Sequence, residues 1–141
     1  MLIMLPELNK ALVRSYFEAY DTGDIEAIME YIDPTHVHHP GAEEPLNFGA
    51  RKRDDTVFLS AFSDIKTIVE DQIAEGDKVA TRITMYCTHT GEYQGIPATG
   101  KRIVITFIDI ALIKARKIVE EWVEFDMMNI LRQISVRSHQ Q

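Results

Sequence analysis

The sequence has one cysteine, few basic residues relative to acidic ones, and no long apolar run. These features argue against a disulfide-bonded protein, a nucleic-acid-binding protein and a membrane protein, respectively. With Cys87 alone, the 141-residue chain cannot form an internal disulfide, which is typical of a reducing compartment, and we expect a cytoplasmic protein. Lys and Arg number 15 against 22 Asp and Glu, giving a formal net charge of −7, so the surface repels phosphate backbones and nucleic-acid binding is disfavoured. No apolar run approaches the roughly 20 residues that a membrane span needs, so no membrane association is expected.

The first half of the chain carries apolar residues at helical spacing. Three helices are predicted, over residues 8–20, 25–31 and 54–62. Asp24 is placed to cap the second helix, and Asp33-Pro34 ends it, because a residue before proline avoids the α region. Residues 35–39 then read as a short extended segment and residues 40–49 as a loop with Gly and Pro.

From residue 65 onward, apolar residues recur at every second position instead of every third or fourth. Four strands are predicted, over residues 65–74, 79–89, 101–113 and 117–125. Asp126 can cap a closing helix that runs through residue 133, and residues 135–141 are expected to form a flexible tail. Helices followed by a meander of strands predict one α+β domain over residues 1–141, a curved antiparallel sheet covered by the N-terminal helices and enclosing a pocket.

Several motifs resemble those of SnoaL-like polyketide cyclases, and the resemblance runs from about residue 9 to 134. The stretches that carry it are THTGEYQGIPATGK at residues 88–101, IDI at 108–110, KIVEEW at 117–122 with Phe125-Asp126 after it, YDTGD at 20–24 and VHH at 37–39. The family implies an NTF2-like cone, usually as a homo-oligomer, here a dimer or a tetramer. Its characterised members close a ring of a polyketide ester by intramolecular aldol condensation, using a pocket aspartate as acid/base and no metal or cofactor.

Two positions depart from the pattern of that family. A gapless alignment places Val123 where the characterised cyclases carry their acid/base aspartate. Ala115-Arg116 replaces the usual Asp-Gly turn before Lys-Ile, and because a type I′ turn needs positive φ at both central residues, a longer or distorted hairpin is expected there.

Asp109 is the first candidate for the acid/base role. It interrupts an apolar strand and shares its face with Phe107, so its carboxylate should be desolvated and its pKa raised toward a range useful for proton transfer. The alternative is a buried carboxylate with a purely structural role, satisfied by a hydroxyl or by Arg82. If the Val123 face lines the pocket, as the resemblance implies, Glu121 lines it too and can pair with Asp109, unless Glu121 is simply a solvated charge at a strand end.

Histidines and tyrosines supply further candidates. His36 and His38 alternate onto one face of the extended segment, but nothing at recognisable spacing completes a metal site, so none is expected, and His38 is read as a pocket hydrogen-bonder or proton shuttle. Tyr16 and Tyr20 lie on the apolar face of the first helix, and Tyr20 falls where some related cyclases carry a pocket tyrosine; both could instead be core aromatics. The predicted substrate-binding residues are Tyr16, Tyr20, Arg82, Tyr86, Phe107 and Val123.

These features predict a cofactor-independent enzyme acting on an apolar, polyketide-like or keto-ester molecule by aldol cyclisation or isomerisation. Asp109, His38 and Glu121 are its predicted catalytic residues. The alternative is a non-catalytic protein of the same fold that binds an apolar small molecule, which the valine at position 123 favours.

Overall fold

The computed structural model describes residues 4–135. Along the chain, two helices precede the first strand, one follows it, and one comes after the last strand. They are α1 (Leu5–Glu18), followed by a 3₁₀ turn (Ala19–Thr22), α2 (Ile25–Met29), α3 (Phe48–Ala61) and α4 (Met127–Ser135). The Asp24 side chain caps α2 by accepting from the Glu26 N–H at 3.0 Å, as predicted. Asn47 caps α3 in the same way through the Ala50 N–H at 2.9 Å, so this helix begins at Phe48 rather than at residue 54.

Five strands form one curved, unclosed sheet in the order β1-β5-β4-β3-β2. Their bounds are β1 (Ile32–Pro40), β2 (Phe62–Glu75), β3 (Lys78–His89), β4 (Arg102–Lys114) and β5 (Lys117–Phe125). Strands β2 to β5 form the predicted antiparallel meander. The extended segment predicted over residues 35–39 is part of β1, which adds a fifth strand parallel to β5. The physical reason is that α3 lies between β1 and β2 in the chain and allows β1 to join the opposite edge.

The β4–β5 hairpin is distorted, one of the two alternatives expected, by a register shift between Leu112 and Ile113, but it is not longer. Ala115 (φ 48°) and Arg116 (φ 63°) both adopt the left-handed conformation, and Lys114 pairs directly with Lys117 across them. The hairpin is therefore a tight two-residue turn and not a longer loop, because the pairing of the two strands outweighs the preference of Ala and Arg for negative φ.

The core lies between one face of the sheet and the helices. Alternate side chains of β3 and β4 are buried there, including Ile83, Met85 and Ile105, and they face the aromatic side of α1, where Tyr16 and Phe17 are buried. Asp126 caps α4 by accepting from the Asn129 N–H at 3.0 Å, as predicted. Apart from Ser135, which ends α4, the predicted tail lies outside the described residues. No helix within residues 4–135 is long and apolar enough to cross a bilayer.

Candidate active site

A cavity of about 300 Å³ lies between the helices and the buried face of the sheet. Its walls are mainly apolar and come from α1, α3, β3, β4, β5 and α4, with Phe17, Phe58, Met85, Ile105 and Ile130 among the lining side chains. Polar groups are concentrated on one side, where β1, β5 and α3 meet. Apolar walls with a few converging polar groups are typical of a small-molecule site, and this volume is at the lower end for such sites.

Glu121 is the centre of the polar side. Its carboxylate is 1% exposed and accepts hydrogen bonds from the Tyr16 hydroxyl, at 3.0 Å to each oxygen, and from Arg51 Nη1 at 3.1 Å. His38 Nδ1 lies 3.3 Å from Glu121 Oε1, although this contact lacks the alignment of a hydrogen bond. The register of parallel strands β1 and β5 places His38 directly beside Glu121.

Arg51 links the helix α3 to this carboxylate. Its guanidinium is buried, and its Nε donates to Asp55 Oδ2 at 2.9 Å, while Nη2 donates to the hydroxyls of Tyr16 and, at 3.0 Å, Tyr20. Tyr20 in turn donates to Asp55 Oδ2 at 2.8 Å. Burial raises the pKa values of both phenols well above 10, so both hydroxyls stay protonated and donate at neutral pH.

Asp109 lies beside Glu121, and the two carboxyl groups titrate in opposite directions. Asp109 is 0% exposed, and neither of its oxygens accepts a hydrogen bond from an N–H or O–H group among residues 4–135. Burial raises the pKa of Asp109 well above its ordinary 3.8, and Glu121 raises it further by its charge and by accepting a hydrogen bond from the protonated acid. Burial also opposes ionisation of Glu121, but Arg51, the hydrogen bond from Asp109 and His38 together lower its pKa well below 4.5. The two carboxyl groups therefore differ: the proton of the pair is favoured on Asp109 and the negative charge on Glu121.

His36 and His38 of β1 share one face, as predicted, with ring centroids 5.7 Å apart. His36 is buried, its Nδ1 lies 3.2 Å from the Ile118 carbonyl oxygen, and burial lowers its pKa to about 4, so it is neutral at physiological pH. His38 is partly exposed and lines the cavity. His39 points away, stacks on Trp122 and places Nε2 2.8 Å from Glu120.

Six of the nine residues predicted for the site line the cavity. They are Tyr16, Tyr20, His38, Phe107, Glu121 and Val123. Asp109 does not line it, so the expectation that Asp109 meets the substrate directly is corrected: its oxygens are buried next to Glu121. Arg82 and Tyr86 are also corrected, because side chains alternate along β3 and both belong to its outer face, where Arg82 pairs with Asp71 at 3.1 Å and not with Asp109.

Sequence reasoning missed Arg51 and Asp55, which hold the polar side together. The predicted third helix began at residue 54, so the Arg51-Lys52-Arg53 run lay in front of it and was given no role. The signal was the spacing, because Phe48, Arg51, Asp55 and Phe58 follow one another at three- and four-residue steps after the capping residue Asn47. That spacing places a charged pair and aromatic residues on one face of α3.

The family model of the SnoaL-like polyketide cyclases matches residues 10–134, and the chain belongs to this family. It is similar to the aklanonic acid methyl ester cyclase DnrD of Streptomyces peucetius, with 34% identity over 64% of this chain. That alignment covers 66% of DnrD, so the chain spans just under two thirds of the length of this curated relative.

Solved structures share the fold over nearly the whole chain. AclR of Streptomyces galilaeus, a proposed hydroxylase, is 28% identical, with a TM-score of 0.85 over 92% of this chain and 96% of its own. IdmH of Streptomyces antibioticus, a proposed polyketide cyclase, is also 28% identical, with a TM-score of 0.78 over 91% of this chain and 99% of its own. The α+β cone predicted from the resemblance is thereby confirmed.

Proposed function

We propose that this chain is a cofactor-independent cyclase that closes a ring by intramolecular aldol condensation on an apolar, polyketide-like keto ester. The observation that carries the proposal is His38, which lines an apolar cavity while its Nδ1 faces the ionised Glu121 carboxylate at 3.3 Å. A histidine beside a buried carboxylate is a recurring arrangement for proton transfer. Family membership and the cyclase name of the similar protein DnrD support the same reaction class.

In this mechanism His38 takes the proton from a carbon between two carbonyl groups of the substrate. The carbanion attacks a second carbonyl carbon, a C–C bond forms, and the protonated His38 returns the proton to the new alkoxide oxygen, so no net proton is consumed. Glu121 stabilises the positive charge that His38 carries between the two steps. The fixed charge of Arg51 in the cavity wall favours the negative charge of the enolate.

Asp109 has an indirect role in this proposal. Burial and the charge of Glu121 favour the protonated form of Asp109, and a hydrogen bond from that form favours ionisation of Glu121. It therefore acts as a positioning residue through Glu121, and the other cavity side chains, Tyr20, Phe107 and Val123, contact the substrate.

The second candidate is the non-catalytic binding protein. Val123 lines the cavity at the position of the family's acid/base aspartate, which leaves this part of the wall apolar. In that case ligands would raise the melting temperature while no β-keto ester is turned over by the unmodified protein.

The test compares turnover of a panel of aromatic and aliphatic β-keto esters by the wild type, His38→Gln and His39→Gln. His38→Gln should lower kcat about 10²- to 10⁴-fold, the usual contribution of one positioned proton-transfer group. His39→Gln is the matched control, because His39 is the next residue on β1 but faces the other side of the strand. Full activity of His38→Gln would rule out the assigned role of this histidine.

A further inference from the structure

Three potential metal ligands converge beside the cavity. His36 Nε2, His38 Nδ1 and a Glu121 carboxylate oxygen all lie within 4.8 Å of one another. From the sequence, only His36 and His38 were placed on a shared face, and the parallel pairing of β1 with β5 adds the carboxylate as a third ligand. Two histidines and one carboxylate are a common donor set for divalent transition metals. The Ile118 carbonyl oxygen 3.2 Å from His36 Nδ1 orients that ring with Nε2 toward the cluster, as partners of metal-bound histidines do.

A guanidinium lies against two of the three candidate ligand atoms. Arg51 Nη1 lies 3.3 Å from His36 Nε2 and 3.1 Å from Glu121 Oε1, two of the three candidate ligand atoms. A zinc ion binds such atoms at about 2.0–2.2 Å, so an ion held by His36 and Glu121 would lie close to Nη1 and be repelled by its positive charge. Arginine keeps that charge at any physiological pH and has no lone pair to offer a metal.

Arg51 cannot move aside without losing its other partners. It is 2% exposed and is held at the far side of the guanidinium by Asp55 and the hydroxyl groups of Tyr16 and Tyr20. Its displacement would leave the Asp55 and Glu121 carboxylates without their shared cation. The burial and the hydrogen bonds therefore fix the positive charge between the two histidines and Glu121.

We propose that Arg51 takes, as a fixed cation, the place of a divalent metal in a two-histidine, one-carboxylate cluster, and that it keeps this cluster free of metal. Removal of the charge at position 51 should therefore convert His36, His38 and Glu121 into a site for a divalent transition metal. This inference is independent of the proposed cyclase reaction, because it concerns metal affinity and not turnover.

The experiment titrates Co²⁺ into the full chain and follows its ligand-field absorption. Arg51→Met should bind one Co²⁺ per chain at least ~100-fold more tightly than the wild type, and Zn²⁺ should displace it. Arg51→Lys keeps the positive charge and should bind as weakly as the wild type. In the Arg51→Met background, His38→Gln should abolish the gain, whereas His39→Gln should leave it intact.

Two results would overturn the proposal. One is Co²⁺ binding by the wild type that is lost in His38→Gln, since Arg51 would then not exclude the metal. The other is absence of any gain in Arg51→Met and also in Arg51→Gln, a second variant whose amide can still donate a hydrogen bond. If either variant is poorly folded without metal, Zn²⁺ should raise the melting temperature of that variant, because a metal that binds only the native state stabilises the native state. No rise in melting temperature in either variant would count against the proposal.

Discussion

Replacement of Asp109 by Asn should make the protein more stable at neutral pH but not in acid. Asp109 has a pKa raised well above 3.8 in the folded protein, whereas in the unfolded chain it ionises near 3.8. Below pH 3.8, Asp109 is protonated in both the folded and the unfolded protein, so its contribution to the free energy of unfolding is fully present. As the pH rises above 3.8, only the unfolded chain releases the proton, so the wild type loses stability until the folded pKa is reached.

The magnitude follows from this linkage. Each pH unit between 3.8 and the raised folded pKa should lower the free energy of unfolding of the wild type by about 1.4 kcal/mol relative to Asp109→Asn. Asparagine has nearly the shape of the protonated acid, and its amide can still donate to Glu121, so the hydrogen bond is kept while the titration is lost. The lowered pKa of Glu121 adds stability above 4.5 that is lost in acid, but it does so in both proteins and cancels in the comparison.

Urea unfolding of both proteins between about pH 4 and pH 8 measures the difference directly. Asp71→Asn is the control, because Asp71 is exposed and pairs only with exposed Arg82, so its effect should be within about 1 kcal/mol. Parallel pH profiles for wild type and Asp109→Asn would refute the reasoning. Turnover of Asp109→Asn should stay within about tenfold of the wild type, since Asp109 acts through Glu121.

Three further predictions concern the fold and the assembly. Gly91→Ala should destabilise the protein by more than about 2 kcal/mol in urea unfolding, because a Cβ there would lie 2.2 Å from the Ser60 carbonyl oxygen; unchanged stability would contradict this contact. Ala115→Asn should raise the melting temperature slightly, since asparagine tolerates the positive φ of 48° better than alanine does. We also propose that a homo-oligomer forms through the outer sheet face, where Ile108 is 51% exposed among other apolar side chains; Ile108→Lys should reduce the mass seen by light scattering, and a monomeric wild type would refute it.

Periodicity was sufficient for most of the fold. The change from a three- and four-residue step to a step of two separates α1 and α2 from the meander, and β5 has the predicted bounds. The features that periodicity did not predict have a common cause, because they depend on partners distant in the sequence. The pairing of β1 with β5 joins residues about 80 positions apart, and the tight turn at Ala115-Arg116 is imposed by the strands on either side.

For the site, sequence reasoning found the side chains but not their roles. Alternation along a strand correctly placed Asp109 on the same face as Phe107, and Glu121 on the same face as Val123. Alternation alone could not show which of these side chains would line the cavity and which would be buried beneath other residues. Arg51 was missed because the start of α3 was placed at residue 54, which left Arg51 outside every predicted element. Burial of a guanidinium is decided by partners on α1, α3 and β5 together, and no local pattern contains that information.

The register of β4 and β5 bears on the valine at position 123, where the resemblance to the characterised cyclases implies an aspartate. Asp109 is the direct cross-strand partner of Val123, so a carboxylate has not been lost from this region but lies on the neighbouring strand. In the proposed mechanism Asp109 does not replace that acid/base, because it is completely buried and does not line the cavity. The ionised Glu121 is held by Arg51 and Tyr16, which leaves His38 as the group at this end of the cavity that can both accept and return a proton. In the proposed reaction, the acid/base group is therefore on β1 and not on β5.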